Sequence, residues 1–180
     1  MEPTRPLEAW HEFYGLLGTA AATLVGLLFV AASIGSGYLS SERKSPTHTF
    51  TTPILAHYSY ILFVSLVALV PVNTDTSLAL IVGLSALAGL TYSIFISVRV
   101  LRSAVTDLED HFGYAASPPA VYAVTVAAAV CIYERSPIGP ALLAAALFGL
   151  LIVNIRNSWD LTVFFAQRRG NDNPPQPPRA

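Results

Sequence analysis

Five stretches of the chain run for at least 20 residues without Asp, Glu, Lys or Arg: 13–41, 45–74 (which includes His48 and His57), 76–98, 112–133 and 136–155. A helix needs about 20 mostly apolar residues to cross a hydrocarbon layer about 30 Å thick. In lipid no water is present to hydrogen-bond an open backbone, so such a segment has to satisfy its own N–H and C=O groups. The fold class this predicts is all-α, a polytopic membrane helix bundle. It has five transmembrane helices, or four if the 118–134 segment does not span. The helices are placed near 12–38, 53–72, 77–102, 118–134 and 138–166, within one transmembrane domain covering 1–169.

Composition narrows the class in the same direction. Hydrophobic residues make up 53% of the 180 and charged residues 12%. A soluble domain carries about 25% charged residues, so this chain has half the charge that a water-facing surface uses. Disorder over most of the length is excluded by the apolar content, and a disulfide scaffold by the single cysteine, Cys131. A net charge of −1 with no basic cluster argues against a nucleic-acid partner.

The boundaries follow local chemistry. Gly35, Gly37 and the polar run from Ser40 to Pro46 end the first helix. Pro53 suits the first turn of the second, where an N–H would have no partner anyway. Pro71, Asn73 and Thr74 mark a tight turn, with Asp75 or Thr76 expected to cap the third helix. Pro118 and Pro119 are read as opening the fourth, and the run from Glu134 to Pro140 separates it from the fifth. The polar, Pro-rich tail 170–180 is expected to be disordered. The first apolar segment is not expected to be a cleaved signal, because its flank carries Glu2, Glu8 and Glu12 against Arg5 and its core is too long.

Cationic residues set the orientation. Arg5 and Arg135 fall on one side. Arg43, Lys44, Arg99, Arg102, Arg156, Arg168, Arg169 and Arg179 fall on the other. The expectation is a bacterial inner-membrane protein with its N-terminus outside and its C-terminus in the cytoplasm.

On the first helix, Gly15, Gly18, Ala22 and Gly26 share a stripe with Thr19 and Ser33 at 100° per residue. Small residues let helix backbones approach closely, which substitutes for the hydrophobic drive that lipid abolishes. The stripe is expected to pack against a helix of the same chain or of a second copy.

Polar groups at membrane depth are costly and therefore candidates for function. His57, Tyr60, Tyr92, Asn154, Arg156, Asn157 and Asp160 all fall in the cytoplasmic leaflet, as do Tyr58, Ser93 and Tyr122. Arg156 and Asp160 are four apart and are expected to pair along the fifth helix. One reading is a cytoplasm-facing polar pocket; the other is polar glue with interfacial anchoring. Across the membrane, Trp10, His11 and Glu12 form an outer-interface group, read as an aromatic belt with solvated charges or the start of an access path. The acidic run from Asp107 to His111 matches no metal loop, so no metal site is expected. No Gly-rich phosphate loop, His-Glu-x-x-His motif or Cys pair is present, so neither a cofactor nor an enzymatic activity is expected.

Two stretches resemble a group of small uncharacterised bacterial integral membrane proteins. Trp10 to Tyr14, followed by Gly18 to Val30, resembles the opening of that group. Asn154-Ile155-Arg156-Asn157-Ser158-Trp159-Asp160-Leu161 resembles its closing stretch, Gly-Ile-Arg-Asn-Ala-Trp-Asp, with Asn154 and Ser158 in place of the Gly and Ala. The likeness covers about a fifth of the chain. It implies a membrane location and singles out Arg156 and Asp160, and it implies no chemistry. Two functions stay open. One is a non-enzymatic scaffold or complex subunit, able to form a homo-oligomer through the first helix. The other is an oligomeric ion channel or small-solute transporter.

Overall fold

The computed structural model describes residues 8–39, 46–71, 74–102 and 108–172. Among these the chain is helical: a short 3-10 turn, Glu8–Trp10, then α1 His11–Leu39, α2 Pro46–Leu69, α3 Asp75–Arg102, α4 Leu108–Tyr133 and α5 Ile138–Asp172. All five helices contain a window long and apolar enough to cross a membrane, including Ala116–Tyr133 in α4. The protein is therefore a multi-pass membrane helix bundle, with five helices long and apolar enough to span.

Three helix ends differ from the sequence reading. Pro46 stands at the start of α2, where its missing N–H is harmless, and Pro53 lies inside the helix. Likewise α4 starts at Leu108 and runs straight through Pro118 and Pro119. Each interior proline removes one backbone bond. Membrane helices tolerate this because neighbouring helices and hydroxyl side chains take up the freed groups. At the other end α5 continues to Asp172, so residues 170–172 of the expected tail are helical. The rest of that tail, 173–180, lies outside the described residues, as do the 40–45 connection and Asp107 of the acidic run.

The cap of α3 also differs. Thr74, not Asp75 or Thr76, is the N-cap: its Oγ1 accepts from the Ser77 N–H at 3.1 Å, and the Ser77 Oγ accepts from the Thr74 N–H at 2.9 Å. This is a reciprocal capping box with serine in place of the usual Glu or Gln. The α4–α5 connection is a Schellman turn. The Ser136 N–H reaches the Cys131 carbonyl at 2.8 Å and the Arg135 N–H reaches the Ile132 carbonyl at 3.0 Å. Arg135 takes the left-handed position, with φ 56°, that glycine normally fills.

The helices run up and down with two ends. The turn end holds the N-terminus of α1 and the α2–α3 and α4–α5 turns, tied by Arg135 Nε and Asp75 Oδ2 at 4.0 Å. The opposite, basic end holds the last turns of α1, α3 and α5 and the first turns of α2 and α4. Helix α1 lies along α2, α3 along α4 and α4 along α5; α2 crosses to α5, and α2 and α4 make no close backbone approach. Helix α5 is the most enclosed, with half of its spanning window buried, against 22% for α1 and α3. Large apolar side chains such as Leu16, Phe29, Leu84, Phe95 and Ile152 point outward and form the lipid-contact surface.

Candidate functional site: a polar cluster in the basic half

Gaps between α2 and α4 are filled by rings rather than by backbone contact. Tyr122 of α4 meets Tyr60 of α2 with centroids 4.9 Å apart, and His57 of α2 at 5.8 Å. Tyr122 can lie there because α3 carries Gly89 beneath it: a Cβ at Gly89 would overlap the ring. His57 then reaches α5, where its Nδ1 lies 3.2 Å from Asn154 Oδ1. An amide oxygen only accepts, so Nδ1 is the donor and Nε2 is left a bare lone pair.

Beside this pair, the Ser158 hydroxyl donates to the Asn154 carbonyl at 2.8 Å, so the Tyr58 hydroxyl, 3.2 Å from Ser158 Oγ, is the donor to it. His57, Tyr58, Tyr122, Asn154 and Asn157 are all buried. Three of the cluster's polar atoms lack hydrogen-bond partners among the described residues: His57 Nε2, Tyr60 Oη and Asn154 Nδ2. The Tyr60 hydroxyl lies toward Ser85 of α3 without bonding to it. The Ser85 proton is already given to the Val82 carbonyl at 3.0 Å.

Of the sequence candidates, His57, Tyr60 and Asn154 are brought together, with Asn157 buried one turn further along α5. Tyr92 is half-buried and within electrostatic range of Tyr122. Arg156 and Asp160 are not part of the cluster: both are exposed, and no ion pair joins them. The inward face of α5 runs through Leu143, Leu147, Leu150, Asn154 and Asn157. Arg156 and Asp160 lie off that face, which corrects the expected pair. Trp159 is exposed too, suiting the headgroup region.

The outer-interface group divides. Trp10 packs edge-on against Phe13, which meets Phe148 of α5 at 6.4 Å. Glu12 is exposed and His11 half-exposed, and neither approaches the cluster. Tyr14 stands beneath them, fully buried, its hydroxyl donating to the Pro140 carbonyl at 2.7 Å.

The small-residue stripe of α1 also divides. Gly18 packs on α2, where a Cβ would lie 3.1 Å from Ser65 Cβ. Among the described residues nothing lies within 4 Å of that position at Gly15 or Gly26, and Ala22 is exposed. The face of α1 that meets the bundle instead runs through Tyr14, Leu17, Gly18 and Ala21. For Gly15, Ala22 and Gly26 the expectation of packing within one chain is therefore corrected.

Hydroxyls elsewhere in the spans are mostly self-satisfied. Thr19, Thr23 and Thr125 donate to the carbonyl four residues back, at 2.8–2.9 Å. Sequence reasoning placed Tyr58 and Tyr122 at the right depth but not among the pocket residues. Gly89, facing an aromatic position on the next helix, was the signal that locates Tyr122.

No family model, curated protein or solved structure matches the chain.

Proposed function

We propose that this chain is a non-enzymatic multi-pass protein of a bacterial inner membrane, N-terminus outside and C-terminus cytoplasmic, that works as a helix-packing scaffold or complex subunit. The observation that carries this reading is the filled turn half of the bundle. Val64, Ala68, Leu78, Val82, Ala128, Ile132, Leu143 and Leu147 occupy the interior there, each 5% exposed or less. Any solute crossing would have to displace these side chains; of the buried hydroxyls at that depth Thr125 is bonded to its own helix, and Ser65 is without a partner among the described residues. The unfilled face of α1 at Gly15, Ala22 and Gly26 suits docking of a further helix, from a second copy or a partner subunit. The resemblance of both chain ends to small bacterial membrane proteins supports the location.

A second reading is favoured by the unpartnered atoms of His57, Tyr60 and Asn154: a small-solute transporter or oligomeric channel closed at the turn end, with its polar pocket facing the cytoplasm. Liposome reconstitution separates the two. The scaffold reading expects ion, proton and small-solute fluxes no higher than in empty vesicles, and an assembly larger than a monomer by native mass spectrometry. Replacing Gly26 with Leu should reduce that assembly while leaving the helical content intact. Protein-dependent flux would favour the transporter and overturn the scaffold.

A further inference from the structure

The His57–Asn154 pair has two unmet requirements, and they are complementary. His57 Nε2 needs a donor and Asn154 Nδ2 needs an acceptor. Both residues are well buried, His57 4% exposed and Asn154 not at all. An orphaned polar atom in such surroundings is costly, more so at membrane depth where water is scarce. A partner offering only one function would leave the other atom orphaned.

We propose that this pair is a binding site for a small uncharged molecule carrying a hydrogen-bond donor beside an acceptor, an amide or an alcohol, admitted from the basic end of the bundle. The ligand's N–H or O–H donates to His57 Nε2, and its oxygen accepts from Asn154 Nδ2. The Tyr60 hydroxyl, also unpartnered, is available as a third contact.

Charge selects a neutral ligand. Arg156 and Asp160 of α5 are exposed, and Arg99 of α3 is exposed and lies over the Phe95 ring at 4.8 Å. Among the described residues, the groups around the pair are the neutral Tyr58, Tyr60 and Tyr122. An ion entering here would find no counter-charge to offset its lost hydration. Enclosure selects a small one: Ile54 one turn before His57, Leu150 one turn before Asn154, and the Tyr122 ring are each 2% exposed or less. Depth selects the route. Asn154 is 16 residues into α5, about 24 Å from the turn end at 1.5 Å per residue. The apolar side chains of the turn half stand between.

This inference is independent of the scaffold reading, since a binding site can exist in a bundle that conducts nothing. The test uses the full chain in lipid nanodiscs, labelled with 15N-histidine. The samples are titrated with acetamide and ethylene glycol, and with acetate and methylammonium as charged counterparts. The His57 signals are assigned by their loss in His57→Gln. The expected result is a saturable shift of the His57 Nε2 resonance with at least one neutral compound and none with the charged ones. In Asn154→Leu, checked for helicity and monodispersity, the apparent affinity should fall about tenfold, the worth of one hydrogen bond. If that variant does not fold, Asn154→Ala serves in its place. A resonance that reports bonding to water in every sample, with no response to either neutral compound, overturns the proposal. So does an equal response to acetate or methylammonium, or an unchanged affinity in the Asn154 variant.

Discussion

In the turn half of the bundle, the interior is Val64, Ala68, Val82, Ile132, Leu143 and Leu147; in the basic half it is His57, Tyr58, Tyr122, Asn154 and Asn157. In the turn half most polar atoms are settled locally: Tyr14 on Pro140, Thr74 on Ser77, Thr125 on its own helix, with the buried Ser65 Oγ the one exception among the described residues. The basic half joins α2, α4 and α5 through polar groups and leaves three atoms unmet. Apolar packing closes one end of a membrane bundle, while directed but incomplete bonding marks the other end as the place where something else belongs.

The sharpest way to break this contrast is to put a polar group into the turn half. Leu147→Asp should cost about 4 kcal/mol or more, because a carboxyl there has neither water nor a partner. Thermal unfolding in detergent reads the loss, and a melting point within a degree or two of wild type would mean that the turn half is wet. Next in size is Gly89→Ala in the basic half, expected to destabilise by about 1–3 kcal/mol as the added methyl drives Tyr122 off its seat. Unchanged stability would show that the ring has room to spare.

Smaller effects probe the turn end. Tyr14→Phe should cost about 1 kcal/mol, one buried hydrogen bond, since the Pro140 carbonyl remains able to accept along its helix. Arg135→Gly should raise stability by about 0.5–1 kcal/mol by relieving a left-handed backbone, and a loss of stability would give more weight to the Asp75 contact. Smallest of all, Asp75→Asn should change stability by less than about 0.5 kcal/mol, because the pair is long and well solvated. A larger, salt-sensitive loss would make that ion pair a true clamp.

The five spans were legible because a run of 20 residues without a charge is rare in any chain that must present a surface to water. Their starts were less so. Pro53, Pro118 and Pro119 read as boundaries by soluble-protein rules, and lipid relaxes those rules when other helices surround the broken bonds. Depth was legible for His57, Tyr60 and Asn154, since counting along a helix gives height directly. Facing direction was not. Spacing put Arg156 and Asp160 within reach of each other along the fifth helix, but only the neighbouring helices decide which face turns inward, and that face carries Asn154 and Asn157. The α1 stripe failed likewise: small residues permit close approach, yet it was Gly18 alone among the four that met a neighbour within its own chain.

The 35 residues of α5 have a practical corollary. At 1.5 Å per residue the helix is about 52 Å long, while the hydrocarbon layer is about 30 Å. Even at a 40° tilt its projection is about 40 Å, so its final turns emerge as a rigid stalk. A fluorophore or affinity handle joined beyond Asp172 would ride on that stalk, clear of the lipid and of the packed interior. The carboxyl-terminal side is therefore the attachment point least apt to disturb either half.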